Sequence, residues 1–262
     1  MTQFCGAHVE LWDDLRLFVD GNSKITRENG TYENPTPNAF SLPHISTCPG
    51  STEICRKDCY VHGLEKHAPA LYAEYRNNER VLHSIMLSTN RVRRSAEIFG
   101  DWITMNARKG FRWHVSGDVI HERHARWIVE VCRSASRVPF WIYTKTFEVV
   151  PVLLEAQNLT VNLSADRQNL YTARQTWSAF AIDARGRLRF TFMSDDGSVP
   201  EDFVDMFDVI FPDYPQRGRD LADPTTHPFW QSLDISARRK VCPADFFGQS
   251  HANRCGPCRK CL

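Results

Sequence analysis

Between residues 111 and 212 the sequence switches repeatedly between two hydrophobic periods, and this alternation restricts the fold more than any other feature. Residues 111–117, FRWHVSG, alternate as a strand does. Residues 121–136 return to helical spacing, with Ala125, Ile128, Val129, Cys132 and Ala135 on one face. Further strands are expected at 139–145, 159–166, 178–182, 187–193 and 208–212. A short helix interrupted by Pro151 fills 147–156, and another covers 170–177. This order predicts an α/β fold with parallel strands and crossover helices: a barrel, an open barrel or a doubly wound sheet.

The flanks fit one domain. A hairpin is expected across Leu15–Thr26, turning at Asp20-Gly21-Asn22, followed by a polar loop over 27–38. A first strand falls near Phe40–Leu42, and helices are expected from Pro69 to Asn90 and from Ser95 to Ala107. A chain of 262 residues holds all this in a single domain. Its parts are an N-terminal hairpin and loop (1–38), a barrel-like body (39–212) and a cysteine-rich extension (213–262) that packs over one end.

Charge and hydropathy exclude several classes. The formal charge is +1, from 32 basic and 31 acidic residues, so charge gives no indication of nucleic-acid binding. The N-terminus lacks the basic start and apolar core of a signal peptide. No apolar stretch approaches the roughly 18 residues of a membrane span. The expected location is the cytosol, where thiols stay reduced and metal ligation best explains clustered cysteines.

Three strands carry a polar face. Arg112, His114, Ser116 and Asp118 oppose Phe111, Trp113 and Val115; Trp141, Tyr143 and Lys145 oppose Phe140, Ile142 and Thr144; Asn162, Ser164 and Asp166 oppose Val161, Leu163 and Ala165. Parallel strands are usually apolar on both faces. Polar residues near strand C-termini either line a cavity or satisfy one another inside a polar core. The candidate cavity residues are His114, Ser116, Gly117, Asp118, Lys145, Asn162, Ser164 and Asp166.

Seven of nine cysteines form two groups: Cys48, Cys55 and Cys59, and Cys242, Cys255, Cys258 and Cys261. The second contains C-x2-C-x2-C, a spacing that wraps an iron–sulfur cube; zinc more often takes paired C-x2-C units separated by a longer insert. The first, CPGSTEICRKDCY, supplies three thiolates. Three thiolates leave a fourth iron of a [4Fe-4S] cluster open to a small molecule, unless His44, His62 or His67 fills the position. The expectation is a pair of [4Fe-4S] clusters, the first open and the second closed.

CPGSTEICRKDCY, FRWHVSGDV, FWIYTKT and the C-terminal cysteine run together resemble the phage gene-product-88 family, over most of residues 38–262. That family is distantly similar to phage three-Cys-motif proteins and to radical S-adenosylmethionine (SAM) enzymes. The resemblance implies a phage or prophage gene product working in the host bacterial cytosol. It also implies a radical-SAM-like partial (β/α)6 barrel with a cysteine-rich extension, and SAM at the open iron. Ser116-Gly117-Asp118 falls where those enzymes hold the SAM amino group, and the C-terminal run looks like their auxiliary clusters. The first group's C-x6-C-x3-C spacing departs from the radical SAM C-x3-C-x2-C.

Two other readings use the same residues. One is a zinc-stabilised module that binds host protein or nucleic acid; the other is an iron–sulfur regulator without catalysis. Cys132 reads as a core residue and Cys5 as incidental. His121 and His124 flank Glu122 without forming H-E-x-x-H and read as surface residues. Neither a nucleophile elbow nor a Walker A motif is present.

Overall fold

A computed structural model of the chain describes residues 6–21, 37–59, 61–212, 223–247 and 261. The expected alternation is there. Strands β1 (Gly6–Glu10), β2 (Arg16–Asp20) and β3 (Ala39–Phe40) come first. Helices α1 (Glu53–Lys57), α2 (Leu64–His67), α3 (Pro69–Ile85) and α4 (Thr89–Asn106) follow. The body continues as β4 (Phe111–Trp113), α5 (Glu122–Ser134), β5 (Phe140–Thr144), α6 (Val150–Leu153), β6 (Leu159–Ala165), α7 (Leu170–Phe180), β7 (Leu188–Ser194) and β8 (Val209–Pro212). Short helices α8 (Pro228–Ser232), α9 (Ile235–Lys240) and α10 (Pro243–Phe246) come last.

All eight strands form one mixed sheet in sequence order. β1–β2 and β2–β3 are antiparallel; every pair from β3 to β8 is parallel. Right-handed crossovers between strands in this order put the helices on one face. Phe111, Trp113, Phe140, Ile142, Val161 and Leu163 are buried with Phe99 of α4 and Trp127 of α5. Phe99 stacks on Trp127 at 5.7 Å, and the Trp127 indole N–H donates to Ser95 Oγ at 3.0 Å. The opposite face is concave. Tyr143 of β5 meets Phe211 of β8 with ring centres 5.8 Å apart. Three strand spacings of about 4.8 Å would separate these residues by roughly 14 Å in a flat sheet.

Several boundaries differ from the sequence expectation, each for a local reason. The hairpin is β1–β2, with its turn at 11–15. Asp13 and Asp14 take left-handed conformations there (φ 47° and 62°), which aspartate tolerates better than most residues. Asp20 instead leads toward β3, pairing with Ala39, and residues 22–26 lie outside the described residues. α3 ends at Ile85 because Ser88 caps a new helix, its side chain accepting from Arg91 N. The expected strand at 178–182 is helix and turn: Ala173, Trp177 and Phe180 share one helical face against the core, while Ile182 is exposed. Beyond β8, Val241 bridges Ile210, so residues 223–247 pack beside that strand.

Trp127→Ala should lower unfolding free energy by about 3–5 kcal/mol in urea titration, the usual cost of truncating a buried aromatic residue. A loss under about 1 kcal/mol would mean that this aromatic cluster is not the core.

Candidate metal centre

The segment after β3 is fastened to one strand end after another. Leu42 N donates to Ser116 O at 2.9 Å, and Asp118 N donates to Thr47 O at 3.2 Å, which ties the segment to the chain leaving β4. Gly50 lies against the end of β5: a Cβ there would sit 2.1 Å from Lys145 O and 2.8 Å from Thr146 N. Thr52 caps α1, accepting from Cys55 N at 3.0 Å, and donates its hydroxyl to Asp166 Oδ2 beyond β6 at 2.5 Å. Ile54 N donates to Gln168 Oε1 at 3.1 Å.

Lys145 and Asp166 lie at the centre of this fastening. Lys145 Nζ meets Asp166 Oδ2 at 2.7 Å and donates to Ser164 O at 3.0 Å. Asp166 is wholly buried and Lys145 nearly so. Removing one partner of such a pair leaves an uncompensated buried charge, a loss of about 3–5 kcal/mol.

Cys48, Cys55 and Cys59 are half-buried on this pinned segment, free of disulfides. They are close enough to perturb one another electrostatically. Burial pushes the Cys48 thiol up to about 12, aided by the Asp118 carboxylate and the other two thiols; the Ile45 N–H opposes the shift. Burial also raises Cys55, against the pull of the Lys145 cation. Burial raises Cys59 too, while the N–H groups of Val61 and His62 favour its thiolate. Main-chain donors aimed at two sulfurs are the outer shell that a thiolate–metal centre needs. Without a metal these thiols keep their protons at neutral pH, so loading must release them.

Among the described residues, no three His, Cys, Asp or Glu side chains stand close enough to hold a single metal ion. Thiolates on different irons of a cluster stand further apart than ligands of one ion, so the donor set suits a cluster better than one zinc.

The structure places the candidate cavity residues unevenly. Asp118 is turned into the fold: Oδ1 accepts from Val119 N at 2.7 Å and Oδ2 from Lys145 N at 2.8 Å. Gly117 is left-handed (φ 80°), and a Cβ there would strike Leu42 Cβ and Thr47 Oγ1. His114 leaves the strand pattern through a positive φ of 54° and packs among Phe40, Trp113 and His124. Ser116 is buried behind the same turn. Ser164 contributes its carbonyl to Lys145. Asn162 lies further down β6, wholly buried, donating to Ile142 O at 3.1 Å and Cys261 O at 3.2 Å. Asp118, Lys145, Ser164 and Asp166 therefore come together as the fastening of the cysteine segment, whereas His114 and Asn162 lie apart from it.

The second cysteine group is half on view. Cys242 and Cys261, 19 positions apart in sequence, share one small cluster with Val209 and Phe211 at β8. Cys242 N donates to Ile210 O at 2.8 Å. Cys255, Cys258 and Cys5 lie outside the described residues.

Residues 16–262 match the family described as Gene product 88. The chain belongs to that family. No curated protein and no solved structure gives a match. The family part of the resemblance is thereby established; the radical SAM part gains no support. No described helix of this Gene product 88 member is long and apolar enough to cross a membrane.

Three contributors escaped the sequence reading. Thr52 carries an N-cap signal, with Glu53 in the first turn, that would have located α1. Gly50 gives no signal beyond Pro-Gly. His124 belongs to the core and not the surface: it is wholly buried, 5.0 Å ring-to-ring from His114, because position 124 falls on the helix stripe shared with Trp127 and Ile128. Cys132 is buried in the core as expected.

Two outcomes follow. Gly50→Ala should cost about 1–3 kcal/mol and make residues 43–58 more susceptible to limited proteolysis, because both clashing groups are backbone. Unchanged stability would mean that Gly50 does not abut β5. The buried histidines also predict a pH dependence. Burial, aided by the Arg112 charge, holds His114 down at about 3 from the ordinary 6.5. Burial and neighbouring histidines hold His124 well below 6.5. Their contribution is complete above pH 6.5 and is lost as the pH falls toward 3. Asp20 runs the other way: burial raises it to about 6 from 3.8, so its contribution is present below 3.8 and lost as the pH rises through 6. The comparison must therefore isolate the histidines. Stability should fall less between pH 6.5 and about 4 in His124→Leu than in the parent, and parallel curves would refute the assignment.

Proposed function

We propose that this Gene product 88 family member is a phage-encoded iron–sulfur protein of the bacterial cytosol, serving electron transfer or redox sensing. Cys48, Cys55 and Cys59 would hold one cluster, and Cys242, Cys255, Cys258 and Cys261 a second. When bound, a [4Fe-4S] cluster supplies a one-electron redox couple.

The observation that carries this reading is the first cysteine segment itself. Three mutually interacting thiols are pinned to the ends of β4, β5 and β6, with N–H groups of Ile45, Val61 and His62 facing two sulfurs. The meeting of Cys242 and Cys261 at β8 supports the second centre. The remaining roles fall to the chain. Lys145 compensates thiolate charge near Cys55, and Asp166 and Thr52 hold α1 in place. Asp118 fixes the β4 turn through main-chain donors, so its carboxylate is already engaged on both oxygens. That engagement leaves it poorly suited to the SAM amino group, and this reading assigns SAM no role.

Protein purified without oxygen should be brown and contain iron with stoichiometric sulfide. Replacing Cys48, Cys55 and Cys59 together with Ala should leave roughly half the iron, if the centres have similar nuclearity. Cys258→Ala should remove the other half. Colourless protein carrying zinc would overturn the proposal in favour of a zinc-stabilised binding module.

A further inference from the structure

Three thiolates account for three irons of a four-iron cluster. The two ends of the cysteine segment bring a pair of imidazoles together. His44 lies four residues before Cys48 and His62 three residues after Cys59, yet their ring centres are 5.7 Å apart. The His44 ring is held from the other side by an edge contact with Tyr72 of α3, at 5.9 Å. His62 enters a tight turn in which its N–H donates to Cys59 O at 2.8 Å and also faces the Cys59 sulfur. Cys59-x2-His62 has the short spacing with which neighbouring ligands reach one centre. The His62 side chain is exposed, whereas His44 is half-buried against Tyr72. One ring is therefore placed to orient, and the other has room to ligate.

Resting on the iron–sulfur reading above, we infer that His62 is the fourth protein ligand of the first centre, giving a Cys3His cluster with no iron left for substrate, and that His44 orients its ring. A carboxylate from the fold does not compete. Asp118 and Asp166, the acids nearest Cys55, are committed to main-chain donors, to Thr52 and to Lys145. A ligating histidine ordinarily has its ring fixed by a neighbouring group, and the His44 ring stands in that position. The completed ligand set is C-x6-C-x3-C-x2-H. Histidine in place of thiolate raises a cluster's potential, as it does in Rieske centres, which suits a sensor or electron carrier.

The test uses full-length protein purified without oxygen, in a Cys255→Ala, Cys258→Ala background that silences the second centre. Electron–nuclear double resonance on the reduced cluster should show a directly coupled nitrogen. The coupling should persist in His44→Ala, with altered magnitude, and vanish in His62→Ala while iron and sulfide remain. Cyanide should leave the parent spectrum unchanged and perturb that of His62→Ala, with added imidazole reversing the effect. Iron and sulfide without nitrogen coupling, or a coupling that survives His62→Ala, would overturn the assignment while leaving the iron–sulfur reading intact. Zinc in place of iron would overturn both. Should His62→Ala lose its iron, His62→Cys decides: it should retain a cluster without nitrogen coupling, and a coupling in that variant refutes the inference.

Discussion

The buried contact between Lys145 and Asp166 is the constraint on which the rest of this structure depends. It joins the ends of β5 and β6 through one ion pair, and the same Asp166 oxygen takes the Thr52 hydroxyl from the cysteine segment. Charges this deep are stable only when paired and hydrogen-bonded, so the geometry tolerates little displacement. Every other tie of the segment repeats the arrangement. Main-chain groups of residues 42–54 bond to the chain leaving β4 and β6, and Gly50 makes van der Waals contact with β5. A parallel sheet in sequence order is what makes this possible, because consecutive strand ends line up beside one connecting segment.

Backbone strain is found in the same neighbourhood. Ile45 and His114 both adopt left-handed conformations, at φ 65° and 54°. Such conformations cost of the order of 1–3 kcal/mol each and persist where surrounding contacts enforce them. Ile45 is β-branched, which makes its case the less common one. Its N–H faces the Cys48 sulfur. His114 ends β4 and turns the chain into Ser116-Gly117-Asp118, the turn that holds Thr47 and Leu42. Both distortions thus serve the placement of the cysteine segment.

Much of the fold was legible in the sequence because β5, β6, β7 and β8 keep a clean two-residue alternation. Boundaries were misread where a short-range signal outweighed periodicity. Ser88 divides what reads as one helical stretch, and the Trp177–Phe180 pair imitates a strand while lying on a helical face. The residues of the site were legible by type but not by role. Asp118, Lys145 and Asp166 were recognisable as polar residues at strand ends, yet nothing local reveals that they bond mainly to one another and to main chain. Those partners lie 21 to 114 residues apart. Position 124 was misjudged because motif matching ignored the helix stripe that contains it.

The account makes the cysteine segment a part of the fold before any metal arrives, since all its ties run to strand ends and none runs through the thiols. Hydrogen exchange on the metal-free protein tests this most directly. The amides of Leu42, Ile54, Cys55 and Asp118, each a donor in these ties, should exchange far more slowly than exposed loop amides, and Lys145→Met should abolish that protection without melting α4 and α5. Exchange of these four amides at loop rates until metal is added would contradict the account: the segment would then be organised by its cofactor and not by the fold.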